Sequence, residues 1–295
     1  MSRLQVGFSH APEALLRFSF DGSDAATGVA CPRLAGPEMP EVWSGESADL
    51  AMVCIEVEER DGDVESAARE AYGRLLAQVR SSAHPYLIRI WNYLDAINEG
   101  EGDGERYRHF CLGRAAAVDA AFNDPPPAAT GIGHAYRTGV VQVIALCSTR
   151  PAIALENPRQ MPAWRYPRDY GPVSPGFSRG ALIGTAQDMR LLASGTASIV
   201  GHRSLHEGDV RAQTREALAN LEALLDEAAV RGDLRFALTA PEALRVYVRD
   251  REDLDAVREE MDQAGMLAER VVYLHGDICR RELLVELEGV FAPIT

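Results

Sequence analysis

The chain has no lysine; all 30 of its basic residues are arginines. That absence removes Schiff-base chemistry, and with it lysine-anchored pyridoxal phosphate and lysine-type aldol mechanisms. It also removes the Gly-Lys-Ser/Thr phosphate loop. No apolar run reaches the roughly 18 residues of a membrane span, so no membrane partner is expected. Met1-Ser2-Arg3-Leu4 leads into no apolar signal core, so no export signal is expected. The five cysteines (Cys31, Cys54, Cys111, Cys147 and Cys279) are scattered and never form Cys-x-x-Cys. Neither a disulfide framework nor a zinc site is expected, and reduced thiols suit a cytoplasmic protein. The histidines show no metal-ligand spacing; His202, His206 and His275 read as structural or surface residues. Neither Gly-x-Ser-x-Gly nor His-Glu-x-x-His occurs, and Gly131-Ile132-Gly133 is too short to argue a nucleotide site. No metal site is therefore expected.

What is present is a chain of 295 residues, 46% hydrophobic, enough for one large or two modest domains with a substantial core. The net charge of −14 argues against nucleic acid as a partner. An anionic ligand would need a local basic pocket working against that field. Arg159, Arg165, Arg168 and Arg179 form such a cluster, in a stretch whose only acids are Glu156 and Asp169.

Residues 1–45 are rich in Gly, Pro, Ser and Ala and read as an irregular lead-in, with one strand near Leu15 to Phe20. Apolar, β-prone residues predict a strand over 49–58. Asp63 suits an N-cap for a helix over 64–79, with Ala68, Tyr72, Leu75, Leu76 and Val79 on its apolar face. A buried strand is expected over 85–94, then a helix over 106–122 ended by Pro125-Pro126-Pro127. Strands follow near 130–135 and 139–147. The second half predicts strands over 180–184 and 191–199 and a long helix over 209–230. A strand over 244–249, a helix over 250–263 stopped by Gly265, and strands over 270–278 and 283–291 complete it. The order of elements thus occurs twice, a repeat of pattern rather than of residues.

In Leu283-Leu284-Val285-Glu286-Leu287-Glu288, alternation places Glu286 and Glu288 on one strand face. Two readings stand. Both carboxylates face water, or one sits in an apolar pocket that raises its pKa and suits it to general acid work. Cys279 is either a small buried residue or a pocket group. Each arginine of the 159–179 cluster is either solvated or a fork for a carboxylate. Gly195 marks either a plain bulge or a close backbone approach to ligand.

Three strings carry a resemblance. Asp169-Tyr170-Gly171-Pro172-Val173-Ser174-Pro175-Gly176, Ser194-Gly195-Thr196-Ala197-Ser198-Ile199-Val200-Gly201 and the stretch from Cys279 to Glu288 together resemble the RidA/YjgF fold over about residues 168–292. With the Cys279 to Glu286 spacing, the fuller pattern resembles the chorismatase family, back to about residue 85. The resemblance implies an α+β fold of two tandem RidA/YjgF-like units, with mixed β-sheets and helices packed on one face. The halves would be residues 1–150 and 151–295, the second carrying the catalytic glutamate. RidA-like proteins are usually trimers with pockets between subunits. A tandem chain would form its pocket between its own halves, as a monomer or weak homo-oligomer.

The implied activity is release of pyruvate from chorismate without a cofactor. Glu286 would be the general acid. Cys279 would mark members that aromatise the ring to 3-hydroxybenzoate, with or without 4-hydroxybenzoate. Hydrolysis to a dihydroxycyclohexadiene carboxylate is the alternative product route. Arg165 and Arg168 best match the family's substrate arginines, with Arg159 and Arg179 behind them. Tyr170 and Gly195 lie in the matching strings. Tyr107 and Arg114 come from Arg-Tyr-Arg-His-Phe-Cys-Leu-Gly-Arg at 106–114, which resembles a chorismatase helix. Two rivals remain: a RidA-type imine deaminase, whose Arg-x-Cys strand is not reproduced at Arg270-Val271-Val272-Tyr273-Leu274, and a module that binds a small acid without turnover.

Overall fold

The computed structural model describes the backbone of residues 3–8, 13–20, 23–35 and 41–46, and all atoms of 49–185 and 189–294. The first half contains strands Arg3–Phe8 (β1), Glu13–Phe20 (β2), Ser23–Ala35 (β3), Glu41–Glu46 (β4) and Leu50–Glu58 (β5). Helix Val64–Arg80 (α1), strand Tyr86–Asp95 (β6), helix Arg106–Ala117 (α2) and strands Ala128–His134 (β7) and Val140–Ser148 (β8) follow. The second half contains strands Ile153–Leu155 (β9), Gly180–Ile183 (β10), Arg190–Ala197 (β11), Ile199–Val200 (β12) and Arg203–Ser204 (β13). After them come helix Val210–Gly232 (α3), strand Pro241–Val248 (β14), helix Leu254–Gln263 (α4) and strands Val271–His275 (β15), Asp277–Ile278 (β16) and Val285–Phe291 (β17).

The repeat expected from element order is present in the strand pairing. In one sheet the order β7-β6-β8-β5 pairs parallel, antiparallel, antiparallel. In the other, β15-β14-β17-β11 pairs in the same sequence of directions. Each long helix follows the corresponding strand, α1 after β5 and α3 after β11. The fold is α+β, with mixed sheets in two tandem units and helices on one face of each sheet.

Packing makes four layers. The helix face predicted from 3.6-residue spacing is buried in α1, with Tyr72, Leu75 and Val79 against the β5–β8 sheet, and α3 likewise buries Leu221, Leu224 and Ala228 against the β11–β17 sheet. The opposite faces of the two sheets meet in a third cluster containing Trp91, Ile144, Leu192 and Tyr247. Asp63 caps α1 by accepting the Ser66 amide at 3.0 Å, and Asp209 caps α3 by accepting that of Ala212 at 2.9 Å. Helices α1 and α2 cross so closely that a Cβ at Gly113 would stand 2.0 Å from the Glu65 carbonyl oxygen.

Two expectations are corrected. Helix α2 stops at Ala117, well before Pro125. Val118 turns extended (φ −94, ψ 153), and Asp119 then accepts the Phe122 amide in a separate turn that buries Phe122. The lead-in is not irregular, since strands β1–β4 occupy much of it. β3 pairs with β15 and so extends the second sheet. Pro32 stands where the β2–β3 register shifts, a place that tolerates a residue with no N–H to donate. The side chains of residues 1–48 lie outside the described residues.

Candidate active site

A cavity of about 360 Å³ opens where the two units meet. The first half supplies Tyr107 and Arg114 from α2 and Thr130 from β7. The second supplies Tyr170, Arg179, Gly195, Cys279 and Glu286. Seven of the ten residues singled out from sequence therefore line one space.

Glu286 lies on β17, 4% exposed. Burial and, after it, the charge of Glu288 push its carboxyl up to about 8; Arg89 and Arg179 pull the other way. It is thus held protonated at neutral pH. Gly195 lies against this carboxyl, and a Cβ there would stand 2.1 Å from Glu286 Oε1. Any side chain at 195 would displace the acid.

Glu288, two residues on and pointing to the same side, has the opposite character. It is 2% exposed and salt-bridged to Arg89 at 2.5 Å and Arg245 at 2.8 Å. Tyr247 OH donates to it at 3.0 Å. Burial alone would raise its carboxyl, but the two guanidinium groups outweigh burial and hold the pKa below its ordinary value. One strand face therefore carries a neutral acid toward the cavity and a fixed anion behind it.

Arg114 and Arg179 are both buried on the cavity wall. No carboxylate pairs with either among the described residues. Arg179 donates to Met161 O at 3.0 Å and Tyr166 OH at 2.7 Å, while its Nε has no partner. Arg114 is hydrogen-bonded to Tyr72. Glu156, whose carboxyl burial pushes up to about 7, accepts the Arg179 amide at 3.3 Å but makes no ion pair with its guanidinium. Buried cations without paired carboxylates are costly, and a bound dianion would supply what they lack. Arg280, which sequence reasoning left unassigned, also lines the cavity. It is held by His202 O at 2.9 Å and Ser204 Oγ at 3.0 Å, with its guanidinium 4.1 Å from the Tyr170 ring centroid. Its place in the Cys279-Arg280 string was the signal available.

Arg165 and Arg168 do not line the cavity. Arg165 is exposed at the end of a short turn over 163–165. Arg168, 62% exposed, makes two hydrogen bonds to Asp103, at 2.9 and 2.5 Å, on the outer surface. The turn over 168–170 directs Tyr170 inward and Arg168 outward. Arg159 is likewise engaged elsewhere, with Glu216 at 2.6 Å and Asn220 at 2.8 Å. Arg179→Ala should therefore weaken binding of a dicarboxylate roughly 10- to 100-fold, the worth of a charged hydrogen bond. Arg168→Ala should change it by less than about threefold, as for an exposed ion pair. Calorimetric titration of both variants checks the contrast.

Cys279 follows β16 and faces the cavity. Burial, then Glu286, pushes its thiol up to about 12, so it stays protonated. Among the described residues no helix is long and apolar enough to cross a membrane.

Comparison with known proteins agrees with this arrangement. The model for the N-terminal part of FkbO/Hyg5-like chorismatases matches residues 35–147. A Streptomyces hygroscopicus protein named chorismatase is 41% identical over 237 residues, which is 78% of this chain and 69% of that protein. A 3-hydroxybenzoate synthase of the same species is 39% identical over 239 residues, covering 78% and 70%. A chorismatase crystal structure superposes with a TM-score of 0.78 and 33% identity, over 98% of this chain and 86% of its own. With identity at that level across most of both chains, this protein belongs to the chorismatase family.

Proposed function

We propose that the protein cleaves the enolpyruvyl ether of chorismate, giving pyruvate and 3-hydroxybenzoate. The observation that carries this is a buried, protonated carboxyl, Glu286, on the wall of a cavity that also holds two unpaired buried guanidinium groups. Arg114 and Arg179 take the two carboxylates of chorismate, one from each half of the chain. Glu286 delivers its proton to the methylene carbon, creating an oxocarbenium ion. The neighbouring ring hydroxyl adds to that carbon and gives up its proton to the Glu286 carboxylate. Loss of the adjacent ring C–H proton then breaks the bond between the ring and the captured oxygen. The hemiketal so formed collapses: its bond to the ether oxygen breaks, that oxygen takes up the ring proton and stays as the phenol, the captured oxygen leaves as the carbonyl of pyruvate, and no water is consumed. Cys279, neutral at working pH, serves as a proton relay in aromatisation and not as a nucleophile.

The domain division at about residue 150 belongs to the same reading, with the substrate held at the seam. So does a cytoplasmic site of action, which the four free thiols among the described residues suit.

The test is incubation of the purified protein with chorismate, without metal or cofactor, following pyruvate enzymatically and the ring product by chromatography. Because the acid must carry its proton, activity should be flat through neutrality and fall about tenfold per pH unit above about 8. Pyruvate with a non-aromatic dihydroxy acid would keep the enzyme and overturn the aromatising role of Cys279. Saturable binding without pyruvate would replace catalysis with a small-acid binding module.

A further inference from the structure

One hydroxyl on the cavity wall has all of its bonding capacity used. Thr130, on β7 and 4% exposed, donates from Oγ1 to Glu288 Oε2 at 2.5 Å. The same oxygen accepts the Gly195 amide at 2.9 Å and a short bond from the Arg89 guanidinium. A hydroxyl offers one proton and two lone pairs. Ionised Glu288 can only accept, so it takes the proton, and the two N–H donors take the lone pairs. Thr130 has nothing left to offer a ligand.

The Gly195 amide needs this partner because β11 leaves its ladder there. Leu191 to Ala193 pair with Phe291 to Gly289 of β17, and pairing resumes at Thr196 opposite Leu287. Ser194 and Gly195 are skipped, and an unpaired buried amide is costly. The bulge is fastened from the opposite sheet. Besides the Thr130 bond to Gly195, Ser194 Oγ accepts the Ala129 amide of β7 at 3.0 Å, while donating to Ser178 O of its own unit at 2.6 Å. This bulge is the surface against which the Glu286 carboxyl lies.

We propose that Thr130 is the positioning residue for the acid: from the first unit it pins the Gly195 bulge and orients Glu288, and so fixes where the Glu286 carboxyl points and how little water reaches it. This role presupposes the chorismate-cleaving activity proposed above. The charged and titratable groups facing Glu286 are Glu288 on its own strand, Arg89 on β6, Arg179 before β10, Cys279 after β16 and Tyr107 on α2. Thr130 bonds directly to the first two.

The experiment compares wild type, Thr130→Val and Thr130→Ser in the chorismate assay across pH. Thr130→Val keeps the shape and loses the hydroxyl. A misplaced acid should lower kcat roughly 10- to 100-fold, with KM unchanged within about threefold because the arginines are untouched. The alkaline limb should move to lower pH as the loosened carboxyl gains water. Thr130→Ser should recover most of the loss. A wild-type kcat with an unmoved limb, a loss carried by KM, or a serine variant no better than valine would overturn the role. If Thr130→Val does not fold, Thr130→Cys, a weak hydrogen-bonder of similar size, takes its place with the same outcomes. If wild type itself releases no pyruvate, the proposed activity fails on its own. The role of Thr130 is then decided by infrared titration of the protonated carboxyl, assigned with Glu286→Gln: a midpoint lowered in Thr130→Val supports it, and an unmoved midpoint overturns it.

Discussion

Glu286→Gln should reduce pyruvate release from chorismate by about 10²- to 10⁴-fold, the usual worth of a positioned acid. The amide keeps the size of the side chain and has no proton to give the methylene carbon. Binding should persist, since Arg114 and Arg179 are intact, so the loss should sit in kcat. The same variant should gain stability relative to wild type as pH rises. Wild-type Glu286 keeps its proton in the folded state up to about 8 but releases it near 4.5 when unfolded. Between those values the folded state binds more protons than the unfolded, so wild-type stability falls as pH rises. Glutamine does not titrate, and its advantage should grow across that window and level off above it. Thermal melts at several pH values read this out. Equal activity, or a variant that loses stability relative to wild type with rising pH, would remove Glu286 from the role of acid.

Glu288→Ala, two residues along the same strand, should do something different. It leaves Arg89 and Arg245 buried without their counter-charge, a loss of about 3–5 kcal/mol. Denaturant unfolding should show a markedly lower midpoint. Replacing the whole group, with Glu288→Leu, Arg89→Met and Arg245→Met together, should recover much of that stability, because desolvated charges are then absent altogether. The recovered protein should remain a poor catalyst, having lost Glu288 and Arg89, the two partners that Thr130 bonds on the wall behind Glu286. A single Glu288→Ala variant as stable as wild type would show that the ion group contributes nothing to the fold.

These neighbouring glutamates show what was legible in the sequence and what was not. Alternation placed both on one face, and they share it. Their different fates depend on Arg89, which lies 199 residues away in sequence from Glu288. Arg89 and Arg245 each interrupt an apolar strand, as a residue on a solvent face would. Local period cannot distinguish water from a second sheet, and here the second sheet is what they face. Helices α1 and α3 were legible because a 3.6-residue stripe needs only an apolar neighbour. The end of α2 was not, because Val118 stops it before any proline does. Arg165 and Arg168 stood inside the motif-bearing segment, yet nearness along the chain does not aim a side chain. Arg114 and Arg179, ranked no higher, are the ones turned inward. Thr130 carried no signal at all, since its role exists only once β7 meets β11.

The position of the cavity at the seam between units has one last consequence. A pocket closed by identical subunits draws both of its walls from one repeated sequence, and any substitution is copied into every pocket. Here the two walls are separate stretches of one chain, so each is free to vary alone. Arg114 on one side and Arg179 on the other can differ in depth, neighbours and reach. Chorismate is itself lopsided, with one carboxylate on the ring and one on the side arm. A site with inherent handedness can hold it one way round, so that Glu286, the acid proposed above, would always meet the same carbon.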